Sequence, residues 1–449
     1  MPAVLNYGTA SAVELNFPAD AFVAECAAPR DAVISDPAAA VAAALDAPLD
    51  YPPLAAATVP GDRIAITLAN DLPQAAKLVA GAVQALMHAG VEPHHITLLQ
   101  SRSAVDQGAS DPRAELDPQV AAEITFLIHD PTDRPSLALL GPSARNEGIY
   151  LNREICEADL VLPIGVQRLQ EAADYRGAYA GLYPTFSDQH TIERHHQIDY
   201  LQSETERTRR REEADDVGWQ LGSRLVIQVV PGPGDEILHV LAGDVDAVMA
   251  EGQRRAEATW RYHLPRRASL VVASIEGAGT QQSWESVARA LAAASRAVSV
   301  EGAVALCTDL STGPGPALMH LAETEDLESA LHAIQSTSSI DAQSAWQLAQ
   351  ALRRGTVYLL SQLNEEVVEA LGIAPVEQPS QIGRLPQRFD SCIVLANAQH
   401  ALPIVDNDEE LEDQFDELDD EYDDEEYEDE AEWDEDEYDD EDEDADEEE

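Results

Sequence analysis

The sequence predicts an α/β protein: two α/β domains with parallel-type sheets, a cleft between the domains, and a disordered acidic tail. Two observations predict this class. Short apolar runs with β-branched residues alternate with longer segments that are apolar at helical spacing. The first strand–helix–strand unit also leaves a crossover of about two dozen residues between its strands, which indicates parallel pairing.

The first domain is predicted from buried strands and amphipathic helices. The strands are expected at residues 63–68, 95–99, 123–128, 159–164 and 225–230, and the helices at 37–47, 74–88 and 245–261. A polar stretch from 175 to 215 contains His190, His195 and His196. The charged run 204–216 is interpreted as a solvated helix face.

The α/β alternation restarts at residue 268. Strands are predicted at 268–274, 302–307, 356–360 and 391–396, and helices at 283–298, 326–334, 341–353 and 364–371. A proline and a basic cluster at 263–267 separate this second series from the first. We therefore predict an N-terminal domain over 1–264, a smaller C-terminal α/β domain over 265–404 and a disordered tail over 405–449.

The formal net charge of −58 is concentrated at the end of the chain, where 33 of the 44 residues from 406 onward are acidic and none is basic. Such a negative surface excludes a nucleic-acid-binding body, and no apolar run is long enough for a membrane span. Four scattered cysteines show no paired spacing, so a cytoplasmic protein is expected. The tail could recruit basic proteins or divalent cations.

Few residues indicate chemistry by themselves. His129 and Asp130 follow a predicted strand, at the end where α/β proteins place ligand groups, although a simple turn with Asp130 capping the loop is the favoured interpretation. His195 and His196 would point about 100° apart on a helix, which disfavours a metal site built from the local histidines alone. Without a family resemblance, the sequence predicts a two-domain α/β protein and no specific reaction.

Several segments taken together resemble the nickel-dependent lactate racemase family, over residues 35–404. Their order and spacing carry the resemblance. They include Gly61-Asp-Arg-Ile-Ala-Ile66, His129-Asp130, Tyr175-Arg-Gly177, Leu241-Ala-Gly-Asp244 and the segment 302–315, with shorter matches at 42–45, 89–91, 140–141, 148, 151–152, 157–159, 164–165, 184 and 191–196.

The resemblance implies two α/β domains with a cleft and a 2-hydroxy acid racemase or epimerase activity. In active members a nickel-pincer nucleotide is tethered through a lysine, a histidine ligates the nickel, and two further histidines act as acid and base. A hydride moves from the substrate Cα to the cofactor and back to either face of the keto acid. The cofactor carries the hard step, and the histidines exchange the hydroxyl proton.

When the family motifs are compared with this sequence position by position, most of the functional residues differ. The tether loop reads Tyr-Arg-Gly-Ala-Tyr-Ala-Gly-Leu-Tyr-Pro-Thr over residues 175–185, and Ala180 stands at the lysine position. His196 falls on the nickel-ligand position, sixteen residues later. Gln170 occupies the position of one acid/base histidine and cannot exchange a proton at neutral pH.

The remaining motif positions are changed as well. The segment 99–104 contains no histidine where the second acid/base histidine is expected, and 70–73 lacks the substrate-binding arginine. The lysine of the second domain falls near Ala288, beside Arg289. No lysine follows Lys77 in the sequence, so a pincer nucleotide, if bound, would be bound without the lysine bond.

The sequence thus predicts a divergent homologue and leaves open whether it is an active isomerase. One alternative is another reaction in the same cleft, in which His129, Asp130 and Arg176 bind a small anionic metabolite together with His196. The other is a non-catalytic binding or scaffold protein that acts through its acidic tail. The cofactor stays unknown.

Overall fold

The computed structural model describes residues 2–18, 20–30, 32–143, 145–172, 175–324 and 326–406. The predicted tail lies outside the described residues from position 407 onward. The strands are β1 (Pro2–Tyr7), β2 (Ser11–Asn16), β3 (Phe22–Cys26), β4 (Ile64–Leu68), β5 (Ile96–Ser101), β6 (Thr125–His129), β7 (Leu137–Pro142), β8 (Gly148–Asn152), β9 (Leu160–Val166), β10 (Leu225–Pro231), β11 (Ile237–Asp244), β12 (Arg261–Leu264), β13 (Ala268–Ser274), β14 (Val298–Cys307), β15 (Thr356–Leu360), β16 (Ala374–Val376), β17 (Cys392–Leu395) and β18 (Leu402–Val405).

The helices connect and cover these strands. They are α1 (Pro37–Asp46), α2 (Leu54–Ala57), α3 (Ala75–His88), α4 (Arg102–Asp106), α5 (Pro118–Glu123), α6 (Arg153–Cys156), α7 (Gln189–His195), α8 (Asp199–Gln202), α9 (Glu204–Gln220), α10 (Val245–Trp260), α11 (Trp284–Ala297), α12 (Pro316–Glu323), α13 (Leu327–Gln335), α14 (Ala342–Arg354), α15 (Glu365–Ala370) and α16 (Pro379–Ile382). Short 3₁₀ turns lie at Pro93–His95, Arg134–Ser136, Gly279–Gln281 and Leu385–Arg388.

The first large sheet has the strand order β11-β10-β9-β4-β5-β6. Its strands pair in parallel except at the β10–β11 edge, which is antiparallel. Successive residues of β4 face opposite cores: Ile64, Ile66 and Leu68 pack in one, and Ala65 packs in the other. A strand buried on both faces reads as a continuous apolar run, which is why β4 was predictable.

The second large sheet has the order β16-β15-β14-β13-β17-β3, with parallel pairing throughout. The predicted α/β class with parallel sheets is confirmed. Two pairings between distant parts of the chain were not anticipated: β3 lies against β17, and β12 lies against β18. Both cross the predicted domain boundary at residue 264, which otherwise remains a prediction.

The charged helix α9 is only partly solvated, so the interpretation of residues 204–216 as a solvated face is wrong for one side. Arg210 and Glu213 are buried, and Gly218 lies directly against the ring of Tyr179. A run of charged residues indicates a solvated helix face only where those residues have no buried partner, and some charged residues of α9 do have one. None of the helices in the described ranges combines the length and apolarity needed to cross a bilayer.

Candidate functional site

A cavity of about 550 Å³ lies where strands of the first sheet end. Residues that follow β4, β5, β6 and β9 line one side, as expected for the carboxyl ends of parallel strands. Residues of α11 and α14, from the second sheet's layer, line the other side. The lining includes Asn70, Asp71, Ser101, Arg102, Ser103, Asp106, Asp130, Gly165, Arg168, Arg176, Ala180, Glu285, Ala288, Arg289 and Gln343.

The structure brings most of the predicted site residues to this cavity. His129, Asp130, Arg176, Ala180 and His196 all line it. Gln170 is exposed and is not among the residues that line the cavity. The local histidines do not converge either, because His190 is exposed at the start of α7 while His195 is buried behind the cavity.

His196 directs one ring nitrogen to the backbone and the other to an arginine. Its Nδ1 donates to the carbonyl oxygen of Ile192 at 2.8 Å, and Nη1 of Arg176 donates to its Nε2 at 3.3 Å. Burial, and next the charge of Arg176, hold the pKa of His196 well below its ordinary value. The imidazole is therefore neutral, and its Nε2 lone pair faces a guanidinium group.

Arg176 joins the two sides of the cavity. Its Nη2 donates to Oε1 of Gln343 on α14 at 2.9 Å. The amide nitrogen of Gln343 in turn donates to the carbonyl oxygens of His195 and Gln197, each at 3.2 Å. The guanidinium is thus fixed at the cavity wall by residues from both sheets' layers.

A second pair of guanidinium groups meets one carboxylate. Arg168 and Arg289 both donate to Oδ2 of Asp71, the latter at 3.2 Å, and all three side chains are largely buried. The backbone oxygen of Asp71 also accepts from Nε2 of Gln281 at 2.7 Å. Arg168 was missed from the sequence, although its position just after a buried strand was a usable signal.

His129 is held at both ring nitrogens by the protein itself. Nε2 donates to the carbonyl oxygen of Ser187 at 2.8 Å, and Nδ1 accepts from Nδ2 of Asn152 at 3.2 Å. Burial lowers the pKa of His129. The ring is therefore neutral and is positioned by its neighbours, with both of its polar atoms already engaged.

Asp130 closes the turn that follows β6. Its Oδ1 accepts from the backbone nitrogen of Thr132 at 3.0 Å and from the Thr132 hydroxyl at 2.7 Å, and these contacts lower the pKa of the carboxyl. This geometry matches the turn interpretation of the His129–Asp130 pair. Ligand contacts of the two residues stay a prediction.

A buried polar network supports α7 from behind the cavity. The Glu213 carboxylate accepts from Arg194 and from the Tyr183 hydroxyl, with Arg194 Nη1 at 2.9 Å from Oε2. Nε2 of His195 lies 3.7 Å from Oε1 of Glu213, beyond hydrogen-bond distance. Burial lowers the pKa of His195 to about 4. These charges compensate one another and stabilise the segment that carries His196.

The residues present do not fit a lysine-tethered nickel-pincer nucleotide. Ala180 offers only a methyl group at the tether position. Lys77 is the single lysine of the sequence; it lies exposed on α3, donates to Gln74 Oε1 at 2.8 Å, and is not a lining residue. Both ring nitrogens of His196 are already engaged, Nε2 by Arg176 and Nδ1 by the carbonyl oxygen of Ile192. Ser101, Arg102 and Ser103 line the cavity, and they belong to the segment in which the family resemblance implies an acid/base histidine.

Comparison with known proteins supports the predicted relationship. A family model described as the lactate racemase N-terminal domain matches residues 7–209. The fold is similar to the lactate racemase apoprotein from Thermoanaerobacterium thermosaccharolyticum, with a TM-score of 0.71 and 15% identity over 90% of this chain and 100% of that chain. It is also similar to a protein from Thermotoga maritima, with a TM-score of 0.54 and 11% identity over 76% of this chain and 93% of that chain.

No curated protein matches the sequence. The two structural relatives are too distant in sequence to show more than the fold. The family resemblance predicted from the sequence motifs is nevertheless confirmed by the family model. Residues 7–209 match the lactate racemase N-terminal domain family, and the fold of the chain is similar to that of a lactate racemase apoprotein.

Proposed function

We propose that this protein binds a small anionic metabolite, of the 2-hydroxy carboxylate class by its family relationship, without a covalently tethered nickel-pincer nucleotide. The observation that carries the proposal is the set of guanidinium groups at the cavity wall. Arg168 and Arg289 share a single carboxylate oxygen of Asp71, and Arg176 contacts Nε2 of His196. Guanidinium groups in a partly buried cleft are the preferred partners of carboxylates.

The charge balance of the cavity supports an anion as ligand. Asp71 is shared between two arginines, and the Asp130 carboxylate is engaged by Thr132. Asp106 and Glu285 also line the cavity, together with Arg102. The four arginines of the lining match its four carboxylates in number, so the cavity has a formal charge of zero, whereas the body of the protein is acidic. A cavity less negative than the surface around it favours an anion over a cation as ligand.

Lactate racemisation by the family's mechanism is not expected from this cleft. Hydride abstraction from Cα requires a cofactor that accepts the hydride, and the residues do not provide its attachment. Proton exchange at the substrate hydroxyl requires a base, and Gln170 is neither basic nor at the cavity. The divergent homologue is therefore proposed as a binding protein, or as an enzyme for a different reaction on such an anion.

The proposal is tested by titrating the full-length protein with carbon-13-labelled L-lactate and D-lactate, observed by NMR. Lactamide, which is neutral and nearly the same shape, is the matched control ligand. Saturable binding of lactate without binding of lactamide supports the proposal, and the same samples show whether the two lactate enantiomers interconvert. Equal binding of lactate and lactamide, or no binding of any 2-hydroxy carboxylate tested, contradicts it.

The acidic tail supports a second proposed role, in recruiting basic proteins or divalent cations. Its 33 carboxylates in 44 residues give a dense negative charge that acts over about one Debye length. Binding of a basic test protein such as a histone is compared for the full chain and a form that ends at residue 406. Unchanged affinity after truncation would exclude this role. A cytoplasmic location is likewise proposed, and the four free cysteines support it.

A further inference from the structure

We propose that Glu92, His94 and His95 form a binding site for a divalent transition-metal ion, with Zn²⁺ as the reference ion, outside the cleft. One ligand atom from each of these residues lies within 4.8 Å of the other two. Nε2 of His94 is 3.6 Å from Oε2 of Glu92, and the rings of His94 and His95 lie with their centroids 4.1 Å apart. Within the described ranges, it is the one group of three or more histidine, cysteine or carboxylate side chains whose ligand atoms all lie this close together.

The local backbone brings the three ligands together. Pro93–His95 forms a 3₁₀ turn, closed by a hydrogen bond from the backbone nitrogen of His95 to the carbonyl oxygen of Glu92 at 3.0 Å. Glu92 directly precedes the turn with an extended backbone, and the turn between Glu92 and His95 keeps their ligand atoms within 4.8 Å of each other. Pro93 fixes one backbone angle of the turn, which reduces the ordering entropy that binding must overcome.

The spacing of the ligand atoms is close to what a metal ion requires. Donors about 2.1 Å from a tetrahedral zinc ion are about 3.4 Å apart, compared with 3.6 Å between the Glu92 and His94 atoms. The remaining separations are at most 4.8 Å, so they would have to shorten by no more than about 1.4 Å. The side chains of His94 and Glu92 are 56% and 67% exposed, so they can move by this amount.

The donor set selects the class of ion. Two imidazoles and one carboxylate, with a fourth position open to water, suit Zn²⁺, Ni²⁺ or Cu²⁺, whereas Mg²⁺ and Ca²⁺ prefer oxygen ligands. The acidic tail offers carboxylates alone and therefore competes for the second class of ion. This difference allows the two kinds of cation binding to be separated in one protein.

The proposed metal site is independent of the cleft. It precedes β5, whereas the cavity residues Ser101 to Ser103 lie at and just beyond the other end of the same strand. A strand of six residues at about 3.3 Å per residue places the two about 20 Å apart. Metal bound here would therefore not occupy the cavity, and it requires neither the lysine tether nor His196.

The test is calorimetric titration of ZnCl₂ into the full-length protein in excess Mg²⁺, which saturates the tail carboxylates. We expect one zinc site in the wild type and at least a tenfold loss of affinity in the double variant His94→Gln, His95→Gln. The matched control replaces two exposed histidines elsewhere, His190→Gln and His332→Gln, and should bind like the wild type. Equal zinc affinity in the first double variant and in the wild type, or no zinc site in the wild type, overturns the proposal.

A second measurement uses the unaltered protein and does not depend on folding of a variant. Diethyl pyrocarbonate modifies histidine nitrogens that are accessible, and mass spectrometry locates the modified residues. Zn²⁺ should protect His94 and His95 while His190 and His332 react as before. Equal modification of all four with and without zinc would show that no ion is held at the 3₁₀ turn.

Discussion

Replacement of Arg176 tests the proposed anion site most specifically. Arg176→Ala removes a guanidinium group held by His196 Nε2 at 3.3 Å and by Gln343 Oε1 at 2.9 Å. A hydrogen bond between a charged donor and a bound carboxylate contributes about 1.5–3 kcal/mol. Since about 1.4 kcal/mol corresponds to a factor of ten, lactate should bind about 10- to 150-fold more weakly.

The assay is the NMR titration with labelled L-lactate, with folding checked by circular dichroism. Arg176→Lys is the matched control, because it keeps the positive charge but cannot contact His196 and Gln343 with one planar group. Its lactate affinity should fall between those of the wild type and the alanine variant. A folded Arg176→Ala protein with the wild-type affinity for lactate would refute the assignment of this residue to the anion site.

Three other changes test the charges and packing around the site. Asp71→Asn removes the carboxylate that competes for two arginines, so calorimetry should show about tenfold tighter lactate binding, and an unchanged or weaker affinity would contradict this. Gly218→Ala would place a Cβ 2.2 Å from the Tyr179 ring, and overpacking should lower the free energy of unfolding by about 1–3 kcal/mol in urea titrations; an unchanged midpoint would contradict the packing. The pKa of His195 is lowered to about 4 by burial and that of His196 is also lowered, so the unfolded chain binds more protons below about pH 6.5. The contribution of the two neutral histidines to the free energy of unfolding should therefore be fully present above pH 6.5. It should decrease as the pH falls toward 4, by about 1.4 kcal/mol per pH unit for each histidine. A melting temperature that does not change over this pH range would contradict the prediction.

Nine of the twelve strands in the two large sheets could be predicted from the sequence, because each has a local signal. Strand β4 is a continuous apolar run, and helix α3 is apolar at helical spacing and followed by Gly90, which has a positive φ. Strand β3 was missed because its partner, β17, lies more than 360 residues away in the sequence. Its pairing depends on tertiary contacts that no local pattern reports.

The site was only partly predictable for a related reason. The family motifs placed Ala180 and His196 at one cavity, and the structure places both there. Motifs could not show that Arg176 contacts the Nε2 of His196 or that Asp71 lies between two arginines, because these contacts join loops and helices distant in the sequence. The buried side of α9 was missed because charged residues there are neutralised by specific partners such as Arg194.

The most direct test of the central claim is the intact mass of the protein purified from a cell that synthesises the nickel-pincer cofactor. We predict a polypeptide mass of 48.6 kDa with no nucleotide adduct, because no lysine lies at the cleft. Nickel alone is not decisive, since the proposed site at the 3₁₀ turn could bind it. An added mass equal to the pincer nucleotide, mapped to a residue of the cavity, would contradict the account.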